Sequence, residues 1–115
     1  MAKMISVRNC LREQPEGAAE FSHPILETDG VRVSRTRPRA KVAAREPWQE
    51  LAADEWVMMA RGGAVLEFEG DGQVSLRVGD HLMIPRRKKH RVILASRDAV
   101  WVAVRLKKSA NVKVG

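Results

Sequence analysis

The sequence predicts an all-β fold, a barrel or sandwich of short strands, on three observations. Short apolar or alternating segments recur after residue 50 at intervals of about 8–12 residues, the spacing of strands in such folds. Turn-forming pieces divide them: Arg61-Gly62-Gly63, Gly70-Asp71-Gly72, Gly79-Asp80 and Ser96-Arg97-Asp98. No segment after residue 50 keeps the 3.6-residue apolar period of an amphipathic helix.

Residues 1–30 are mixed and weakly patterned; loops and a short helical turn are expected there, closed by a tight turn at Asp29-Gly30. From Val31 the pattern becomes β-like, with Val31 and Val33 alternating with Arg32 and Ser34. The phase then reverses, so that Arg35, Arg37, Arg39 and Lys41 hold the odd positions. This predicts a bulge or bend near Ser34 and a basic ladder on one face, and Pro38 suits an edge. The later strands are expected at 55–60 (EWVMMA), 64–69 (AVLEFE), 73–78 (QVSLRV), 81–85 (HLMIP), 90–95 (HRVILA) and 99–106 (AVWVAVRL). Val74, Leu76 and Val78 face one way, and Val100, Val102, Val104 and Leu106 form a similar row. The organisation that follows is an N-terminal arm (1–30), a barrel (31–106) and a C-terminal tail (107–115).

Composition bounds the rest. A chain of 115 residues with 44% hydrophobic content fits one domain able to build a core unaided. The single cysteine, Cys10, excludes an internal disulfide and a four-thiolate metal site. No apolar run approaches the roughly 18–20 residues of a membrane-spanning helix, and the N-terminus lacks a secretory signal's apolar stretch, so a soluble, cytoplasmic protein without membrane partners is expected. Lysine and arginine number 21 against 14 acidic residues, a formal charge of +7. Much of that excess is concentrated in two blocks: Arg86-Arg87-Lys88-Lys89-His90-Arg91, and Arg32, Arg35, Arg37, Arg39, Lys41 and Arg45. Such a balance attracts nucleic acid, anionic membrane or an acidic small molecule without choosing among them.

The spacing of Gly, Pro, Glu and His between Glu55 and His90 resembles the cupin family, whose motifs read G-x5-H-x-H-x3–4-E-x6-G and G-x5-P-x-G-x2-H-x3-N. Glu55 is followed by six residues and then Gly62; Gly79 is followed by five residues, then Pro85, with His90 at the histidine position. Arg87 stands at the usual glycine and Leu94 at the usual asparagine. The hairpin expected between the motifs is Phe68-Glu69-Gly70-Asp71-Gly72, and the whole resembles small single-domain bacterial cupins over residues 31–106. The resemblance implies a double-stranded β-helix, or jelly-roll, barrel.

It also implies a transition-metal site of three histidines and one glutamate. Glu55 and His90 match two of those ligands, but the other two histidines fall on Gln49 and Leu51, or on Trp48 and Glu50. The set is incomplete, so the site reads as degenerate: no cofactor is assigned, and a weakly held divalent transition metal is the one left open. A rearranged site using Glu50 and His81, with His81 pointing inward beside Met83, is the remaining arrangement. His90 is expected to hydrogen-bond Glu55 or a neighbouring polar group.

The expected ligand pocket is lined by Gln49, Leu51, Glu55, Val57, Met59, Met83, His90 and Val92, with Arg86, Arg87, Lys88 and Lys89 drawing in an anion. The function that follows is binding of a small polar or anionic molecule. The alternatives are a metal-dependent cupin enzyme (dioxygenase or isomerase) and a nucleic-acid-associated basic protein. The latter is not favoured, because no aromatic side chain interleaves the basic run and no DNA- or RNA-reading signature accompanies it. No catalytic residue emerges: the serines lack a nucleophile-elbow context, and no phosphate-cradling glycine loop is present. Alternation places Trp56 and Met58 opposite Glu55 and places Trp101 opposite the valine row, so an outward tryptophan pair covered by a partner is expected, as in a homodimer.

Overall fold

The alternation of Val57 and Met59 with Trp56 and Met58 sets the frame, because in a strand the two sets face opposite ways. The computed structural model describes residues 5–12, 22–38 and 47–108. Its strands are β1 (Ser22–Glu27), β2 (Val31–Thr36), β3 (Asp54–Arg61), β4 (Ala64–Phe68), β5 (Gly72–Leu76), β6 (His81–Ile84), β7 (His90–Ala95) and β8 (Val100–Leu106). They form two antiparallel sheets, a five-stranded one in the order β1-β2-β8-β3-β6 and a three-stranded one in the order β5-β4-β7. Among the described residues there is no helix, so none is long and apolar enough to cross a membrane.

The sheets face each other across a core of Val57, Met59, Ala64, Leu66, Phe68, Leu76, Ile84, Ala99, Trp101 and Ala103. Val57, Met59, Leu66 and Ile84 are the largest fully buried side chains. Each contributes about 1.5–3 kcal/mol relative to exposure. Register fixes this assignment, since residues directly opposite in an antiparallel pair share a face. Val57 lies opposite Ala103 and Leu82, and Met59 lies opposite Trp101.

Several expectations are corrected. Trp101 faces the core, 7% exposed, because its partner Met59 does; the valines 102 and 104 take the outer face with Trp56 and Met58. A strand, β1, occupies part of the segment 1–30 read as loops; it is an exposed edge strand containing Pro24, with no alternating core face to betray it. The irregularity expected near Ser34 lies in the neighbouring strand: the β1–β2 register shifts between Pro24 and Leu26, opposite Ser34 and Val33, while β2 pairs with β8 without interruption. The basic ladder does not extend from Arg35, which is only 2% exposed and donates through Nη1 to the Cys10 carbonyl at 2.8 Å. Arg61 likewise donates to the Leu11 carbonyl, so these two arginines hold the segment 5–12 against the barrel. Arg37 donates to the Arg97 carbonyl, and Arg39, Lys41 and Arg45 lie outside the described residues.

The crossover from β3 to β4 is made by Gly62 and Gly63, and here glycine is required. Gly62 has φ +68°, and a Cβ added there would stand 2.2 Å from Ser96 Oγ and 2.6 Å from Asp98 Oδ1. Ser96 Oγ accepts from the Gly63 N–H and donates to Asp98, so the β7–β8 turn is bound against this crossover. Gly62→Ala combines left-handed strain with a clash against the hydrogen-bonded Ser96 and Asp98 side chains and is expected to cost about 2–4 kcal/mol, read as a lowered urea midpoint at unchanged m-value.

Candidate ligand site at the barrel mouth

Residues 49–55 carry the chain between the sheets and tie one end of the barrel together. The Gln49 N–H donates to the His90 carbonyl at 2.8 Å and the His90 N–H returns the bond to Gln49 at 3.0 Å. Two residues on, the Leu51 carbonyl accepts from the Arg87 N–H at 2.8 Å, and Asp54 Oδ1 accepts from the Arg86 N–H at 2.8 Å. β3 begins there, with Glu55 opposite Ile84 on one side and Arg105 on the other. β7 begins at His90 opposite Phe68, the last residue of β4. Glu55, Arg105, His90 and the loop 85–89 therefore gather at one end of the two sheets, remote from the Gly62 crossover.

His90 is 5% exposed, with its ring 5.9 Å from that of Phe68. Its Nδ1 lies 2.8 Å from the Lys88 carbonyl oxygen. A carbonyl only accepts, so this bond places a proton on Nδ1 and leaves Nε2 of the neutral ring as an acceptor. Glu55 is not its partner: Glu55 Oε1 pairs with Arg105 Nη2 at 3.2 Å, the carboxylate being mostly buried and the guanidinium about 40% exposed. Arg105 Nε is buried and has no hydrogen-bond partner among the described residues.

The other expected lining residues separate. Val57 and Met59 belong to the packed core, and Leu51 and Val92 pack on its margin. The Gln49 side chain is exposed, its main chain making the contact to His90. Met83 is corrected: it lies opposite Trp56 on the outer face, because Leu82 and Ile84 take the inward positions of β6. His81 is outward for the same reason, and its Nδ1 accepts from Trp56 Nε1 at 3.1 Å, which removes the arrangement with Glu50.

The basic run is divided. Lys88 pairs with Asp71 at 2.5 Å and donates to the Glu69 carbonyl, while Arg91 pairs with Glu67 at 2.6 Å and lies 4.0 Å over the Trp48 ring. The side chains of Arg86, Arg87 and Lys89 stand exposed at the mouth.

The loop itself is a turn in which the Lys88 N–H donates to the Pro85 carbonyl, with Arg87 at φ +68°. That is the third position of a type II turn, which calls for glycine. Arg87 is the one non-glycine residue with positive φ among the described residues, and it occupies the place the cupin motif gives to glycine.

The donors do not fit a tightly held transition metal. Among the described residues no three His, Cys, Asp or Glu side chains come together. The inward glutamate is already paired to a guanidinium, a cation where a metal's second carboxylate or imidazole would be needed.

A protein from Ralstonia eutropha JMP134, provisionally named mannose-6-phosphate isomerase, is 31% identical over 90% of this chain and 100% of its own, with a TM-score of 0.77. A cupin superfamily protein from Desulfitobacterium hafniense DCB-2 superposes over 82% of each chain at 23% identity and TM-score 0.61. An RmlC-like cupin from Methanocaldococcus jannaschii with a double-stranded β-helix fold superposes over 90% of this chain and 93% of its own, at 16% identity and TM-score 0.62. This chain is a cupin. No family profile and no curated protein matches its sequence.

One residue of the mouth, Arg105, is not marked by any motif of the sequence, although a signal is present: Trp101, Ala103 and Arg105 are the phase of β8 opposite the valine row. Arg87 generates a prediction of its own. Arg87→Gly relieves the left-handed strain and is expected to raise stability by about 1 kcal/mol in urea denaturation, an unusual sign for an arginine-to-glycine change.

Proposed function

We propose that this cupin binds a small, hydroxylated anion at the barrel mouth, with side chains rather than a metal as its anchors. The observation that carries this reading is the mouth's inventory: a buried imidazole bonded through Nδ1 to a carbonyl, which leaves Nε2 of the neutral ring as acceptor, and at the same end of the barrel a guanidinium whose buried Nε has no partner among the described residues and an exposed cationic loop. An acceptor suits a ligand hydroxyl, and the cations suit a carboxylate or phosphate. The provisional name of the Ralstonia protein, mannose-6-phosphate isomerase, points to the same ligand class, a phosphorylated sugar. Calorimetric titration with mannose 6-phosphate and a panel of hydroxy acids is expected to find a binder that His90→Ala weakens roughly tenfold or more. Unchanged affinity in that variant would reject the site. Near-stoichiometric iron, manganese, nickel or zinc in protein purified without chelator would replace this reading with that of a metal-dependent isomerase or dioxygenase.

A homodimer accompanies this reading. The outer face of the five-stranded sheet carries Leu26, Val33, Val104, Trp56 and Met83 in register across β1, β2, β8, β3 and β6. Leu26 is 56% exposed at the rim of this apolar row, and a second copy of the same face would cover it. Sedimentation velocity is expected to show a dimer that Trp56→Arg converts to monomer; a monomer at the highest attainable concentration would refute it.

A further inference from the structure

Glu27, Arg32, Arg105 and Glu55 lie opposite one another in succession across β1, β2, β8 and β3, on the face that turns toward the other sheet. The two central members are both arginines, directly opposed in register. Like charges at opposed positions repel, and strands ordinarily avoid them. The flanking carboxylates offset the pair only in part. Glu27 is drawn first to Lys107, whose Nζ lies 2.7 Å from its carboxylate and which, with the hydrogen bond first, holds the Glu27 carboxyl below its ordinary range; Arg32 adds a smaller attraction. Glu55 engages only Nη2 of Arg105. Arg32 has no ion pair with any described residue, and Nε of Arg105 is buried without a hydrogen bond. With Lys107 included, this row holds three cations and two anions.

From this we infer that Arg32 and Arg105 are the anchor for the ligand's oxyanion, one guanidinium to each of two terminal oxygens. The inference rests on the anion-binding reading above and assigns its charged end. An oxyanion between the two groups removes their repulsion, and a small turn of the Arg105 side chain would bring its buried Nε, which has no acceptor among the described residues, to the same ligand. Glu55 then has a positioning role: its contact with Nη2 holds the Arg105 fork at the mouth. In this chain a guanidinium pair supplies the positive charge that the motif's histidines would otherwise recruit as a metal. Both a carboxylate and a phosphate monoester have the required pair of terminal oxygens.

The test titrates the intact protein with inorganic phosphate and, separately, with acetate, following the arginine Nε–H signals by NMR. Saturable shifts of the Arg32 and Arg105 signals are expected, and the anion that saturates at the lower concentration names the head group. Arg32→Gln, which removes no ion pair, is expected to weaken that anion roughly tenfold or more. Arg105→Gln strands Glu55 and can unfold the chain, so Arg105→Lys is the companion: it keeps the charge beside Glu55, removes the Nε donor, and is expected to weaken binding comparably. If both variants bind like the parent while His90→Ala still loses the hydroxylated ligand, the arginine pair is rejected and the mouth reading stands. If the parent binds neither phosphate, acetate nor any hydroxylated anion, that reading falls and takes this one with it.

Discussion

The antiparallel pairing of β3 with β8 is the constraint on which the molecule turns. It sets Glu55 against Arg105, Val57 against Ala103 and Met59 against Trp101, so one register decides both what fills the core and what charge stands at its open end. Because side chains alternate with period two, a slip by a single residue would exchange the sets. Were β3 to slip, Trp56 and Met58 would enter the core and Glu55 would turn outward, away from Arg105. Burial of Val57, Met59, Trp101 and Ala103 on the matching faces makes the observed register strongly preferred.

That pairing also explains the coexistence of an ordinary cupin frame with an altered site. Main-chain bonds hold the mouth: Gln49 with His90, Leu51 with Arg87, Pro85 with Lys88. Such bonds are indifferent to the side chains attached. The motif positions that lack histidine or glycine in this chain therefore change the chemistry on offer without disturbing the path of the backbone. In the binding mode proposed above, polar side chains supplied from other strands, Arg32 and Arg105, decide what the mouth holds.

Sequence patterning made the later strands legible because turn residues delimit them. Gly62, Gly70, Gly72 and Gly79 all adopt positive φ where a turn was expected, and the predicted strands after residue 50 coincide with β3 to β8 within two residues at each end. β1 was illegible because an exposed edge strand with a proline carries no alternation. The facing of β6 and β8 was illegible for a different reason. Both strands bear apolar residues on each side, and with Met83 against Leu82, or Trp101 against Val102, only the neighbouring strand settles which set goes in. The site was legible at Glu55 and His90, which the motif spacing marks, and not at Arg105, whose role depends on a strand about fifty residues away in sequence.

The reciprocal bonds between Gln49 and His90 have a wider consequence. β7 is an outer member of the three-stranded sheet, and its first peptide would otherwise offer open hydrogen-bonding groups to any passing extended chain. By occupying them, residue 49 acts as a miniature guard strand, and the imidazole rides on a peptide clamped from both directions. Protection of the sheet edge against stray pairing and rigidity of the peptide that carries His90 thus arise from the same pair of amides, so a change that loosens one loosens the other.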